Sequence, residues 1–110
     1  MLKKSRLTFV IPETLYRELH SKIVQDGYDL RGKSKWISEA IEALLSLDNF
    51  EDLVKISDEM HSFNKVQTIA LERSLKKLID VAGIKVRQRY PSLEGVQSSI
   101  IRTAIVQRLL

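Results

Sequence analysis

The order strand–helix–helix occurs twice along this 110-residue chain, and that duplication restricts its possible folds more than any other feature. Ser34-Lys-Trp-Ile-Ser-Glu-Ala-Ile-Glu-Ala-Leu-Leu45 aligns without gaps to Ser98-Ser-Ile-Ile-Arg-Thr-Ala-Ile-Val-Gln-Arg-Leu109. Ser34, Ile37, Ala40, Ile41 and Leu45 have identical counterparts in Ser98, Ile101, Ala104, Ile105 and Leu109. Upstream, Thr8-Phe-Val-Ile-Pro-Glu-Thr-Leu15 aligns to Thr68-Ile-Ala-Leu-Glu-Arg-Ser-Leu75. The offset is 60 at the strand and 64 at the last helix, so four extra residues fall in the second copy between these segments. Chance matches are common in amphipathic helices; the recurring order of elements makes duplication the better reading. A unit of about 40 to 45 residues is too small to bury a sufficient core. A lone strand also leaves its backbone N–H and C=O groups unpaired. Two copies answer both problems if their strands pair antiparallel and their four helices close over the apolar face. The expected fold is mainly α with a two-stranded antiparallel ribbon, a tandem pseudo-dimer within one chain.

Local patterns supply the elements. In residues 5 to 11, Leu7, Phe9 and Ile11 alternate with Arg6, Thr8 and Val10, the period of a short strand. Pro12 ends it and suits the start of a helix, where Glu13 complements the dipole. Leu15, Leu19 and Ile23 then mark one helical face, with Tyr16 and Val24 beside them, and Gly27 is the stop. A second helix begins around Gly32 to Ser34, with either residue as its cap, and carries a broad stripe of Trp36, Ile37, Ala40, Ile41, Leu44 and Leu45. Trp36 is expected in the core. Residues 66 to 71 form the second strand. Leu75, Leu78, Ile79, Ala82 and Val86 mark a third main helix, weakened locally by Gly83 and closed by Tyr90-Pro91. Ser98 to Leu109 mark a fourth. The division is therefore 1–45, 46–64 and 65–110, two units joined by a connector and sharing one core, one domain in all. The connector is expected to be helical, capped by Asp48 or Asn49, with Phe50, Leu53, Val54 and Met60 along one side.

Charge is uneven. Residues 46 to 64 hold five acids (Asp48, Glu51, Asp52, Asp58, Glu59) against one base, Lys55. The remaining 91 residues keep 17 bases against 9 acids, a charge of +8, although the whole chain is only +4. A basic body with an acidic connector suits a polyanion partner.

At these residues the chain resembles the ribbon-helix-helix family, the Arc/MetJ type of DNA-binding protein. The likeness lies in Arg6-Leu-Thr-Phe-Val-Ile-Pro-Glu-Thr-Leu15 and Gly32-Lys-Ser-Lys-Trp-Ile-Ser-Glu-Ala-Ile41, and more faintly in Thr68 to Leu75 and Gly95 to Leu109. Two units in one chain resemble the tandem arrangement of the TraY proteins of conjugative plasmids. The resemblance implies a ribbon that enters the major groove and reads base edges with outward side chains. A major groove admits a two-stranded ribbon. The outward set is then Arg6, Thr8 and Val10, with Val66, Thr68 and Ala70 from the second strand. Arg6 is matched to guanine, Thr8 to a base edge and Val10 to a thymine methyl. This register turns Gln67 inward, so Gln67 is expected either at a frayed strand end or to signal a register one residue off.

The resemblance also implies phosphate contacts at the start of the second helix of each unit, where free N–H groups and the dipole attract anions. The matching residues are Gly32, Lys33, Ser34 and Lys35 in the first copy. In the second they are Val96, Gln97, Ser98 and Ser99, polar but uncharged after Val96, so the first copy is expected to grip phosphate more strongly. Lys3 and Lys4 are candidates for an arm along the phosphates. Lys85, Arg87 and Arg89 are better matched to the C-terminus of their own helix.

Double-stranded DNA is the expected partner, with a relaxase or further copies of the chain on DNA as additional ones. The implied role is transcription regulation or assistance in conjugation at a plasmid transfer origin. The runner-up is a protein-interaction module of the antitoxin kind. Enzyme chemistry is not expected: His20 and His61 lie in no motif, there is no Gly-rich phosphate loop, and no nucleophile–base–orienter set can be named. No cofactor, metal or small-molecule substrate is expected. With no Cys and no long apolar run, a soluble cytoplasmic protein without disulfides or a membrane association is expected.

Overall fold

The computed structural model describes residues 4–29, 32–57, 62–63 and 65–110. Lys3, Asp58, Glu59, Met60 and His61, named above, lie outside the described residues. The chain is mainly helical, with one two-stranded antiparallel sheet. Strand β1 runs Lys4–Ile11 and strand β2 Lys65–Glu72. Helix α1 is Glu13–Gln25, α2 is Lys33–Leu45, α3 is Phe50–Ser57, α4 is Arg73–Arg89 and α5 is Val96–Leu109. No helix among the described residues is long and apolar enough to cross a membrane.

The period-two pattern of each strand sets its two faces. Leu7, Phe9, Ile11, Ile69 and Leu71 are buried, while Arg6, Thr8, Val66 and Thr68 are exposed. The register pairs Arg6 with Ala70, Thr8 with Thr68, and Val10 with Val66. Gln67 stands opposite Phe9 on the inward side, inside β2 rather than at a frayed end, and the register is the one read from the sequence. A buried amide is tolerated because it is satisfied: Lys33 Nζ donates to Gln67 Oε1 at 2.9 Å, and Gln67 Nε2 donates to the Val66 carbonyl at 2.8 Å.

The helices share one core beneath the ribbon. Helix α5 lies against β1 and α2 against β2, while α2 and α5 pack on each other. Trp36, Ile37, Ala40, Ile41 and Leu44 are buried on α2, as are Ile100, Ile101, Ala104 and Ile105 on α5. Burying the isoleucine and leucine side chains among them supplies roughly 1.5–3 kcal/mol each, the main force holding the layers together.

Helix starts and stops follow the local chemistry. Pro12 and Glu72 are the N-caps of α1 and α4 and share an extended conformation, with φ/ψ of −65/150 and −63/144. Gly27 follows α1 with φ +85, a left-handed geometry that glycine adopts without steric cost. Gly32, not Ser34, caps α2. Among the described residues the acidic helix is α3, Phe50–Ser57. It is tied to the end of α4 through Asp52, which receives the Tyr90 hydroxyl and pairs with Arg89 at 3.0 Å. Arg89 thus reaches a neighbouring helix from the last turn of α4, where it stands with Arg87 at the C-terminal end as expected.

Candidate nucleic-acid interface

The outward face of the ribbon is the surface that the alternation of β1 and β2 produces. Along β1 it presents Lys4, Arg6, Thr8 and Val10; along β2 it presents Val66, Thr68, Ala70 and Glu72. At its centre Thr8 Oγ1 and Thr68 Oγ1 lie 3.2 Å apart in a mutual hydrogen bond. A hydroxyl that donates to its neighbour keeps lone pairs, and the neighbour keeps its own O–H, so the pair still offers both donor and acceptor outward. Toward one end Arg6 stands opposite Ala70, and beyond them Lys4 stands opposite Glu72. Glu72 is an acid on the candidate face that the sequence reading did not weigh, and it becomes visible only once the register is known. Toward the other end the facing pair is Val10 and Val66, half-buried and exposed, with no polar side-chain atom between them.

The start of α2 flanks the ribbon through β2. Ser34 Oγ accepts the backbone N–H of Ala70 at 3.1 Å, which fixes the helix start to the strand edge. Lys33 is directed to Gln67, and burial lowers its pKa from the ordinary lysine value. Lys35 is the cation of this turn that reaches outward; it is exposed and lies 5.9 Å above the centre of the Tyr28 ring. Gly32 is half-buried, and its tight fit explains why no larger residue stands there: a Cβ would lie 2.7 Å from Tyr28 Cβ.

The start of α5 differs. Its N-cap Gly95 has φ +60. Gln97 and Ser98 are half-buried, but Ser99 is fully buried. The Ser99 hydroxyl accepts Arg102 Nη2 at 3.0 Å, so it faces the core rather than solvent. This corrects the expectation for Ser99 as a surface phosphate ligand.

Two arginines escaped the sequence reading. Arg102 is only 4% exposed and donates through Nη1 to the Val10 carbonyl at 2.8 Å, pinning α5 to β1. Its guanidinium also stacks over Phe63 at 4.1 Å from the ring centre. Arg108 donates to the Trp36 carbonyl at 2.7 Å and to Glu39 at 3.2 Å, and it lies 4.6 Å from the Trp36 ring centre. Glu39 also receives the Tyr28 hydroxyl, which with Arg108 holds its carboxyl below the usual range. Both arginines are structural fasteners. Their partners lie 92 and 72 residues away in sequence, so no local motif announces them.

Trp36 is buried, and its indole N–H donates to Asp26 Oδ2 at 2.8 Å, which excludes it as a base-stacking platform on this surface. Among the described residues no group of three His, Asp or Glu side chains is arranged to hold a metal ion.

The chain matches no family model, no curated protein and no solved structure.

Proposed function

We propose that this chain is a sequence-selective binder of double-stranded DNA, a tandem ribbon-helix-helix pseudo-dimer that lays its ribbon into the major groove. The observation that carries the reading is the outward ribbon face, with exposed Arg6, Thr8, Val66 and Thr68 on a backbone held rigid from beneath. A two-stranded ribbon fits the width of a major groove, and these side chains are of the kinds that read base edges and thymine methyls. The tandem arrangement gains support from the register. Thr8 and Thr68, which the repeat aligns at an offset of 60, face one another, so the ribbon is centred where a two-fold axis between the copies would pass. It gains further support from helix length. Helix α1 has 13 residues and α4 has 17, so the four extra residues of the second copy form one added helical turn. Acting as a transcriptional regulator, or as an accessory to a relaxase at a transfer origin, are both roles for such a reader.

The test is titration of duplexes selected from a random pool, at several salt concentrations. Specific binding that weakens steeply with salt is expected. Arg6→Ala is expected to cost about 1–3 kcal/mol on the best site and to relax base preference there. Lys35→Ala is expected to weaken all duplexes alike and to flatten the salt slope by about one. Unchanged affinity and base preference for Arg6→Ala refute the groove assignment.

A second reading, a protein-interaction module, draws on Leu78, Val81 and Ile84, which are exposed at three-residue spacing on α4. Salt-insensitive association with a protein, and no duplex binding, is the outcome that favours it.

A further inference from the structure

The two ends of the outward ribbon face differ in chemistry. Arg6 stands opposite Ala70 at one end, and Val10 stands opposite Val66 at the other. Val66 is 65% exposed, an unusual setting for a β-branched apolar side chain. The offset of 60 aligns Val66 with Arg6, so the second copy carries an isopropyl group where the first carries a guanidinium. A guanidinium offers paired donors that match O6 and N7 of guanine. An isopropyl group offers none. In the major groove the apolar group displayed by a base pair is the C5-methyl of thymine, and the Val10–Val66 pair leaves only apolar surface to meet it.

We propose that the Val10–Val66 end of the ribbon recognises pyrimidine C5-methyl groups, so that binding depends on methylation of the bases at that end of the site and on guanine at the other. The proposal rests on the major-groove reading above. Arg6 and Val10 are four residues apart, about 13 Å along a strand rising about 3.3 Å per residue. That span equals roughly four steps of a duplex rising about 3.4 Å per base pair. The groove runs obliquely to the axis, so the methyl-dependent position lies within about four base pairs of the guanine that Arg6 contacts. Thymine and 5-methylcytosine both present this methyl group, whereas deoxyuridine and cytosine lack it.

The experiment uses the full chain and the best duplex selected from a random pool, with each thymine replaced singly by deoxyuridine. The substitution removes the methyl and leaves base pairing intact. Binding is followed by fluorescence anisotropy at fixed salt. One or two thymines at the distance given above are expected to lose roughly three- to fourfold in affinity, the scale of one methyl group removed from an apolar contact. Val66→Ala is expected to blunt that loss while leaving the dependence on the Arg6 guanine in place. Val66→Arg is expected to move the selected site toward an inverted repeat with guanine at both ends. Indifference to deoxyuridine at every thymine, with the guanine dependence retained, overturns this inference and leaves the DNA reading standing. Failure to bind any duplex overturns the DNA reading and this inference with it.

Discussion

Lys33 and Gln67 show how one buried amide governs a whole turn of surface. The Lys33 ammonium is held by Gln67 Oε1, so removing it leaves an acceptor unpaired beneath the ribbon. Lys33→Ala is expected to lower stability by about 1–3 kcal/mol, read as the midpoint of urea unfolding. Adding Gln67→Leu to that variant is expected to recover part of the loss, because the orphaned amide then disappears. His20 provides a second residue-scale prediction. Its Nε2 is buried without a hydrogen-bond partner, and burial, aided by Lys33, lowers its pKa below the ordinary 6.5. The unfolded chain therefore takes up the proton first. Stability is full above about pH 6.5 and is lost as the pH falls from there to the lowered folded value. Urea midpoints between pH 7.5 and 5 are expected to fall for the natural chain and to stay flatter for His20→Gln. The sequence presented Gln67 only as an anomaly in an alternating strand. Its resolution depends on a lysine 34 residues away, a distance over which no periodicity carries information.

At the scale of elements, the alternation of Leu7, Phe9 and Ile11 and the i, i+4 spacing of Leu15, Leu19 and Ile23 made β1 and α1 legible, and the structure buries all six. Gly27 as a stop was equally legible, because a positive φ has a residue-type signature. Helix α5 was legible only in extent. It buries Ser99, Arg102 and Thr103 together with its apolar residues, since it is packed by α1, α2, α3, α4 and β1 at once. A helix surrounded in this way, with exposure confined to half-buried positions near its two ends, has no continuous solvent face for an amphipathic pattern to report. The candidate groove face was readable from strand alternation, whereas the flanking helix starts were not, because Lys33 and Ser99 are claimed by tertiary partners. The entry to α2 supplies the prediction at this scale. Gly32→Ala would place a Cβ 2.7 Å from Tyr28 Cβ and 3.1 Å from the Asp29 carbonyl oxygen. These atoms belong to backbone or lie next to it and have little room to yield. A loss of about 1–3 kcal/mol is expected, measured as a lowered Tm.

For the whole molecule, the decisive fact is that neither strand has a partner near it in sequence. Among the described residues strand β1 pairs only with β2, and the apolar face of α2 is covered largely by α5. A fragment ending at residue 57 therefore lacks both the second strand and the central helix. It is expected to show no cooperative unfolding transition when followed by the emission of Trp36, the single tryptophan, whereas the full chain shows one. The pairing of Thr8 with Thr68 also has a consequence for how the chain is made. A ribosome delivers β1 first and must add some sixty more residues before its mate emerges, a delay of several seconds at roughly 5–20 residues per second. Through that interval the nascent strand has an open edge and an uncovered row of Leu7, Phe9 and Ile11. The interval is a window for capture by a chaperone or by a neighbouring nascent copy.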